Sequence, residues 1–236
     1  METLGRRDVL TAMWNRRTDS WEHQVEGSEA FERIRWELMV ASEFKSTDRV
    51  LDLGAGTGFI TLPIALKTKE VVAVDVSENM LEVLRTKAHE QGIGNVSHLV
   101  MDLTELAFPE DSFDVIVSSY ALHHLRDDDK ERLVACCQRW LRPGGRIVIA
   151  DMMFGRLASG RDRRIAIGKA RRLVRKGPAG VWRLARTVVR FGLRSGTELP
   201  ASPEFWLVAL NIAGFREPRF QEIVAEAGLV RATVYR

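Results

Sequence analysis

The chain has 236 residues, 45% of them hydrophobic and 28% charged, which is ordinary for a folded globular protein. Its two cysteines, Cys136 and Cys137, are neighbours, so they exclude a framework of long-range disulfides and favour a reducing compartment. Because no apolar run approaches the roughly 18 residues of a membrane span, and the N-terminus lacks the apolar centre of a signal peptide, we expect a cytoplasmic protein.

The net charge of +3 is unevenly distributed along the chain. Residues 156–194 contain thirteen Lys or Arg and one acid, Asp162, whereas the remaining residues carry 22 basic and 31 acidic side chains. This asymmetry predicts that the basic segment is a separate layer of structure or a surface for a partner.

Apolar patterning predicts strands that alternate with helices along the first two thirds of the chain. The predicted strands are 49–53, 70–75, 95–100, 113–119 and 145–152, and the predicted helices begin near Gly58, after an N-cap at Ser77 and at about Asp128. Their near-continuous Val, Ile and Leu runs are typical of a parallel sheet covered on both faces. Near the C-terminus, the pattern predicts a helix over 216–227 and one strand after it.

Three glycines, Gly54, Gly56 and Gly58, follow the first predicted strand in the stretch VLDLGAGTGF, residues 50–59. A loop that cradles a dinucleotide pyrophosphate needs the spacing G-x-G-x-x-G, because the third glycine lets the following helix pack closely. Here the spacing is G-x-G-x-G and position 59 is Phe. The pattern therefore favours a ligand that the backbone approaches closely and that needs no phosphate cradle.

Four motifs in this order resemble those of the class I, Rossmann-like S-adenosylmethionine-dependent methyltransferases, in the branch that includes ubiquinone and menaquinone methyltransferases. They are VLDLGAGTG, AVDVSENML, FPEDSFDVIVSSYALHHL and LRPGGRIVIAD, within about residues 45–152. The resemblance implies a doubly wound, mainly parallel α/β sheet in the order 3-2-1-4-5 with an antiparallel strand pair at its edge. It also implies S-adenosylmethionine as cofactor, S-adenosylhomocysteine as its product and a small-molecule acceptor.

We expect four parts: an N-terminal helical lid over 1–45, a cofactor-binding core over 46–152, a basic helical cap over 153–205, and a C-terminal helix and strand over 206–236. Trp14, Trp21, Phe31 and Trp36 have helical spacing and resemble the family's lid; simple packing against the sheet edge is the alternative. The family's last strand is missing from this prediction. An uncovered edge strand would favour a homodimer.

The resemblance places the cofactor against Asp52, Gly54, Ala55, Gly56, Thr57, Gly58, Asp75, Val76, Met80, Asp102, Leu103 and Ser118. Asp75 ends the second strand about twenty residues after the glycines, where a carboxylate accepts hydrogen bonds from both ribose hydroxyls. Its alternative role is that of a charge partner for the next helix. Asp52 lies in an apolar strand, where an unpaired carboxylate is costly, and the resemblance implies that it faces the cofactor's ammonium group or supports the glycine loop.

Asp102 matches the family position that accepts from the adenine amino group; a solvated loop acid is the alternative. Val76, Met80 and Leu103 would enclose the adenine, although Met80 also suits an ordinary helix core.

The catalytic candidates are Tyr120, His123 and His124, which close the fourth strand and would face the sulfonium methyl group. This stretch lacks the N/D-P-P-Y/F signature, which disfavours DNA adenine methylation. Either histidine suits a general base, and the alternative is that the pair shapes the pocket. No metal site is expected, because adjacent residues seldom ligate one ion and no partner set stands at suitable spacing.

The basic segment has three interpretations. Its predicted helices, RRIAIGKARRLVRK at 163–176 and VWRLARTVVRFGLR at 181–194, are amphipathic. The helices form a cap whose arginines are solvated, or their arginines bind an anionic substrate. In the third interpretation, residues 156–194 contact an anionic membrane surface, which suits a lipid-like or quinone acceptor. No recognised nucleic-acid-binding module accompanies the charge, so nucleic acid is not an expected partner.

The predicted reaction is an in-line displacement that transfers a methyl group to a small molecule. A protein that binds the cofactor without transferring its methyl group would carry the same motifs. A nicotinamide-dependent, hydride-transferring enzyme is the remaining alternative.

Overall fold

The computed structural model of the protein describes residues 5–155, 160–175, 177, 182, 197–224 and 226–235. Its elements in chain order are α1 (Arg6–Val25), α2 (Glu29–Ser42), β1 (Arg49–Leu53), α3 (Thr61–Ala65), β2 (Glu70–Asp75), α4 (Glu78–Glu90), β3 (Val96–Val100), β4 (Phe113–Ser119), α5 (Asp127–Trp140), β5 (Leu141–Met152), α6 (Gly160–Val174), α7 (Pro203–Ile212), β6 (Arg216–Val224) and β7 (Ala227–Thr233). The helix predicted over 181–194 lies, apart from Trp182, outside the described residues.

The strands form one seven-stranded sheet in the order β3-β2-β1-β4-β5-β7-β6. β1 to β5 are parallel to one another, and β7 runs antiparallel to both β5 and β6. The predicted doubly wound, mainly parallel sheet is therefore confirmed, together with its order and its antiparallel edge pair. β1 and β4 lie side by side where the strand order reverses, and ligands of such sheets bind at this point, beyond the carboxyl ends of the strands.

Alternate residues of the central strands point to opposite faces of the sheet, and helices bury both faces. Val50 belongs to the cluster that Ile34 and Leu38 of α2 cover. Its neighbour Leu51 belongs to the opposite cluster, which Trp206 of α7 covers together with α5. Full burial of such a side chain contributes roughly 1.5 to 3 kcal/mol, so the two layers hold the strand ends in fixed positions.

The predictions for the C-terminal region were wrong. The described residues of 216–227 do not form a helix: Arg216–Val224 form the edge strand β6, and Ala227 begins β7. β6 is largely exposed and rich in charge, which imitates a surface helix, and pairing with β7 skips from Arg216 to Arg219 around Pro218. Proline fits there because an edge strand tolerates a missing N–H. The last strand is present, so the argument for a homodimer from a missing strand no longer applies.

Two boundaries differ from the sequence prediction. β5 begins at Leu141 rather than at 145, because Leu141 pairs with Phe113 before a bulge in the β4–β5 register. The helix after the glycines is a single short segment, Thr61–Ala65. Among the described residues, no helix is both long enough and apolar enough to cross a membrane.

Candidate active site

The glycine loop joins β1 to α3 and is held between two neighbouring elements. Gly54 has a φ of +80°, and a Cβ added to it would lie 2.2 Å from the Cβ of Ala121, just beyond β4. Gly58 has a φ of +89°, and an added Cβ would lie 2.3 Å from Cδ1 of Leu84 in α4. These two positions require glycine for backbone conformation and for space.

Asp75, at the end of β2, ties this loop to the next helix. Its Oδ2 accepts a hydrogen bond from the N–H of Gly56 at 2.9 Å, and its Oδ1 accepts one from the N–H of Ser77 at 2.9 Å. Burial raises the pKa of Asp75, and the backbone hydrogen bonds oppose that shift. The carboxyl group is thus fixed in the wall of the cavity beside the glycines.

Asp52 is the buried carboxyl group at the bottom of the same cavity, with only 1% of its surface exposed. Its Oδ2 accepts a hydrogen bond from Thr61 Oγ1 at 2.6 Å, whereas its Oδ1 has no hydrogen-bond partner among the residues that the structure describes. Burial raises the pKa of Asp52 to about 7, and the nearby charge of Asp75 adds to the shift. A buried carboxylate oxygen without a donor is costly, which indicates that a cationic or hydrogen-bonding ligand group belongs beside it.

Asp102 lies in the loop after β3 and also lines the cavity. Its Oδ1 accepts hydrogen bonds from the N–H and Oγ1 of Thr104, at 2.8 and 2.7 Å. These hydrogen bonds hold the carboxylate at the cavity wall. They would hold a solvated loop acid in the same way. Its role toward adenine stays a prediction.

The cavity brings together most of the predicted residues. Its wall contains Asp52, Gly54, Ala55, Gly56, Asp75, Val76, Met80, Asp102, Leu103, Tyr120 and His124. Four predicted residues lie outside this lining. Thr57 donates to Glu22 of α1, Gly58 packs on α4, buried Ser118 donates to the carbonyl of Leu53 at 2.8 Å, and His123 lines a neighbouring recess. Sequence reasoning missed Leu10, Phe59 and Ile60 in the wall, which also contains Ser119, Ala121 and Leu125 from the stretch that closes β4.

Helix α1 forms part of the wall of this cavity. Leu10, Trp14 and Trp21 contribute to its wall, and the rings of Trp14 and Trp21 meet edge to face at 5.5 Å. Asn15 binds the N-terminus of α4, because its Oδ1 accepts from Ser77 Oγ at 2.6 Å. With α1 in place the cavity holds about 100 Å³, less than the roughly 300 to 1,000 Å³ of small-molecule sites.

A second recess adjoins this cavity beyond the ends of β4 and β5. It is lined by Trp14, Arg17, Ser20, Trp21, Gln24, Phe31, Tyr120, His123, His124, Met152, Glu198 and Glu226. At its base, Nδ1 of buried His123 lies 2.6 Å from Oδ1 of Asp151, which is 1% exposed. Sequence reasoning missed Asp151, which ends β5 in the motif IVIAD. Its signal was a carboxylate in an apolar strand, the same signal that identified Asp52.

Tyr120 separates the cavity from the recess and lines both. Its φ of +52° is uncommon for an aromatic residue, and such strain concentrates at functional sites. Burial, with added charge from Glu226 and Asp151, raises the pKa of Tyr120. Its hydroxyl group therefore stays protonated and can donate but not remove a proton.

The acidic run Asp127, Asp128 and Asp129 lies in the first turn of α5, where negative charge is favourable. Asp127 and Asp129 also pair with Lys130 and Arg132, at 3.0 and 2.5 Å. Within the described part of the chain, no three His, Cys, Asp or Glu side chains converge in a way that could hold a metal ion.

Comparisons with known proteins match this arrangement. Residues 50–145 match the family model of the methyltransferase domain. Over 114 residues, the chain is 35% identical to the uncharacterized methyltransferase YcgJ of Bacillus subtilis, covering 48% of this chain and 44% of that protein. It is 37% identical over 114 residues to the ubiquinone/menaquinone biosynthesis C-methyltransferase UbiE of Psychromonas ingrahamii, covering 47% of this chain and 45% of that protein.

The fold is also shared with solved structures. A SAM-dependent methyltransferase from Aquifex aeolicus superposes with a TM-score of 0.64 at 18% identity, covering 93% of this chain and 98% of that one. The two curated relatives align over a little under half of their own length. The part that matches the family model, residues 50–145, contains the glycine loop, Asp75 and the ends of β1 to β4.

Proposed function

We propose, on the premise that the chain carries a class I S-adenosylmethionine-dependent methyltransferase domain over residues 50–145, that it transfers a methyl group to a small molecule. One observation supports this most strongly. Oδ1 of Asp52 is buried and unpaired in the wall of a cavity that the glycine loop and Asp75 also line. An ammonium group of an amino-acid ligand would supply the missing donor.

The other residues of the cavity fit the rest of this cofactor. Asp75 would accept from the ribose hydroxyls, and the apolar side chains of Val76, Met80 and Leu103 would enclose the adenine. Asp102 still has one oxygen to accept from the adenine amino group, because the bonds from Thr104 reach only Oδ1. Backbone at Gly54 would lie against the amino-acid part, since no side chain stands in the way.

When bound, the cofactor supplies an activated methyl group on a positively charged sulfur. The protein then has to hold the acceptor atom in line with that carbon–sulfur bond and to exclude water. Positioning alone supplies roughly 7 to 11 kcal/mol in favourable cases. α1, α2 and the end of β4 would perform this role, because Trp14, Trp21, Phe31 and Tyr120 line both the cavity and the recess beside it.

Isothermal titration calorimetry with S-adenosylhomocysteine tests the cofactor site. Replacing Asp75 with Ala removes two charge-assisted hydrogen bonds, each worth about 1.5 to 3 kcal/mol, so the affinity should fall more than about tenfold. Glu90→Ala, an exposed carboxylate at the end of α4, is the matched control and should leave affinity unchanged. No binding heat for the wild type, together with no effect of Asp75→Ala, would remove the basis of the proposal.

Release of S-adenosylhomocysteine from S-adenosylmethionine during incubation with acceptors tests the transfer itself. Tight cofactor binding without release for any acceptor would instead favour a protein that binds the cofactor as a sensor.

For the acceptor, we propose a lipid-like or quinone-related molecule reached at a membrane surface. The Psychromonas ingrahamii relative is named for ubiquinone and menaquinone biosynthesis. The chain also has a suitable surface in α6. Its exposed residues Arg163, Arg164, Ile167, Arg171, Val174 and Arg175 fall within an arc of roughly 120° at 100° per residue.

The opposite side of α6 is attached to the core. Asp162 is 5% exposed and its Oδ1 accepts from the N–H of Gly155 at 2.9 Å. Arg161 donates to the carbonyl of Ala227 at 3.2 Å and pairs with Glu222 at 3.3 Å. The helix therefore presents four arginines around two apolar side chains to the solvent, a pattern that suits an anionic bilayer surface.

Co-sedimentation with vesicles tests this contact. The protein should bind vesicles that contain phosphatidylglycerol, bind poorly to pure phosphatidylcholine, and lose binding with salt. Arg163→Glu combined with Arg171→Glu should weaken binding more than about tenfold. Arg132→Glu combined with Arg219→Glu changes net charge equally on other exposed surfaces and serves as the control. Equal loss in both double variants would contradict a specific role of α6.

A further inference from the structure

The pair of His123 and Asp151 lies at the recess beside the cavity, with Nδ1 of His123 2.6 Å from Oδ1 of Asp151. We propose that the methyl acceptor carries an aromatic hydroxyl group, as in a phenol or hydroquinone, and that His123 takes up its proton. This inference rests on the proposed methyl transfer and specifies its substrate class and its base.

Asp151 fixes which nitrogen of His123 is available. A carboxylate only accepts hydrogen bonds, so its contact at 2.6 Å assigns the imidazole hydrogen to Nδ1. The other ring nitrogen, Nε2, is then the basic one. Asp151 is itself held in place, because its Oδ2 accepts from the N–H of His123 at 2.9 Å and its Oδ1 from the N–H of Met152 at 2.7 Å.

His124 differs in one respect that decides between the two histidines. Its Nδ1 lies 2.8 Å from the carbonyl oxygen of Thr197, so a neutral dipole rather than a carboxylate faces that nitrogen. An aspartate behind an imidazole both orients the ring and stabilises the imidazolium that forms during proton transfer. The geometry therefore assigns the base to His123.

The walls of the recess favour a flat aromatic acceptor. Phe31 lies at the centre of the ring contacts, with its centroid 5.4 Å from that of Trp21 and 5.1 Å from that of Tyr120. The recess has a volume of about 460 Å³, whereas a cavity of roughly 150 Å³ holds benzene. There is thus room for a substituted ring system.

The reaction balances without any further reactant. The acceptor's O–H proton moves to Nε2 of His123, and the oxygen, or the ring carbon that shares its negative charge, forms a bond to the methyl carbon. The carbon–sulfur bond breaks and its electron pair stays on sulfur, which leaves neutral S-adenosylhomocysteine sulfur. After transfer to oxygen, His123 returns the proton to water. After transfer to a ring carbon, His123 returns the proton to the oxygen, and the hydrogen of that carbon leaves to water as a proton, which restores the aromatic ring.

The charged groups around His123 are Asp151 on β5, Arg17 on α1, and Glu198 and Glu226 in the connecting segments. The two glutamates are the features that an amine acceptor would use instead. Amines are therefore the competing class in the acceptor test.

The acceptor test measures S-adenosylhomocysteine release with hydroquinones and monophenols, with the same rings blocked as methyl ethers, and with anilines and alkylamines. Release should require a free aromatic hydroxyl, and mass spectrometry of the product would locate the new methyl group on oxygen or carbon. Release with amines alone, or equal release with the blocked ethers, would overturn this inference and leave the proposed function standing. No release with any acceptor, despite cofactor binding, would overturn the proposed function and this inference together.

A variant test addresses the residues. His123→Ala should lower kcat about 10²- to 10⁴-fold while cofactor affinity stays within about twofold. Added imidazole should restore part of this activity, which a purely structural role would not allow. His89→Ala, an exposed histidine on α4, is the matched control and should behave as the wild type. His123→Gln, whose amide keeps a donor toward Asp151, serves as the second variant if the alanine variant unfolds.

Asp151 acts through His123 and is a positioning residue. Asp151→Asn should lower kcat with little change in KM. Every acceptor that the His123→Ala variant still methylates should also be methylated by the Asp151→Asn variant. A folded His123 variant that binds cofactor and keeps kcat within about twofold of wild type would overturn the assignment.

Discussion

The cofactor side and the acceptor side of this site are built in opposite ways. On the side proposed for the cofactor, just over half of the wall comes from one stretch, residues 52–103, at the ends of β1, β2 and β3, and this stretch includes Gly54 and Gly56; the rest comes from α1, Phe31 and residues 119–125. On the acceptor side, the wall comes from α1, α2, the ends of β4 and β5, and segments near residues 198 and 226. Unlike the first wall, the described lining of this second wall contains no glycine or alanine.

This difference determines which side of the site tolerates amino-acid substitutions. A wall of backbone leaves little room for substitution, because each added atom meets a neighbouring strand or helix. A wall of side chains from distant segments changes its shape with single substitutions and leaves the sheet intact. The first side is therefore suited to one ligand, and the second to a variety of acceptors within the same fold.

A substitution at Gly54 should have the largest effect, and it tests whether the backbone wall leaves room for an added atom. Gly54→Ala places a Cβ where the Cβ of Ala121 lies 2.2 Å away and adds the strain of a positive φ. We expect a loss of roughly 2 to 5 kcal/mol in the free energy of unfolding and a loss of cofactor binding. Urea unfolding and calorimetry measure the two effects.

Two further variants separate strain from contact at Gly54. Gly92 has a φ of +66° with nothing within 4 Å of an added Cβ, so Gly92→Ala should cost only about 1 to 2 kcal/mol. Ala121→Gly in the Gly54→Ala background should recover part of the loss. If Gly54→Ala costs no more than Gly92→Ala, the loop is not held by its contact with Ala121.

The sequence alone predicted the parts of the molecule that depend on residues close together in the chain. β1 is an apolar run that is buried on both faces, and the glycines beside it satisfy conformational needs that only glycine meets cheaply. Ser77 was predicted as an N-cap, and its Oγ accepts from the N–H of Met80 at 3.2 Å. In each case the requirement and the residue that satisfies it lie within a few positions.

The remaining features depend on contacts between distant residues. The charged strand β6 is a strand because β7 pairs with it, and its own composition imitates a helix. The partner of His123 is Asp151, 28 positions away, and parallel pairing of β4 with β5 brings them together. Asp52 was expected to need a partner, but only the fold shows that Thr61 satisfies one oxygen and leaves the other.

Asp52 also makes the cofactor side sensitive to pH. Burial raises the pKa of Asp52 from 3.8 to about 7, and a bound ammonium group would lower it again. Binding of S-adenosylhomocysteine should therefore release a proton and become tighter as pH rises from about 6 to about 8, by up to tenfold per pH unit below the raised pKa. Titrations in buffers of different ionisation enthalpy measure the released proton.

In the protein without cofactor, the same carboxyl group makes the folded state less stable as pH rises. The folded state keeps a proton that the unfolded chain loses above about pH 4, so the contribution of Asp52 to stability falls between about pH 4 and pH 7 and is constant above that range. Asp52→Asn should reduce both pH dependences. Since burial raises the pKa of Asp75 in the same direction, the slope that remains in this variant is assigned to Asp75. An unchanged slope would exclude Asp52 as the titrating group.

The smallest expected effect concerns α1, which contributes residues to both sides. Glu22 accepts a hydrogen bond from Thr57 of the glycine loop and pairs with Lys87 of α4. Because Leu10, Trp14 and Trp21 of α1 line a cavity of only about 100 Å³, we expect this helix to move when the cofactor enters or leaves. Glu22→Gln should weaken a partly exposed contact worth at most about 1 kcal/mol and so speed release of S-adenosylhomocysteine by roughly two- to fivefold. Tryptophan fluorescence in a stopped-flow instrument reports the rate, since Trp14 and Trp21 line the cavity.

The control for this measurement lies on the same helix. Arg7 pairs with Glu105 at 3.0 Å, and both side chains are more than half exposed and away from the glycine loop. Arg7→Gln removes an ion pair of α1 without touching the residues that line the cofactor cavity, so release should change less than in Glu22→Gln. Equal acceleration in the two variants would mean that α1 responds to any loss of attachment. A change confined to Glu22→Gln would mean that the glycine loop itself holds α1 over the cofactor side.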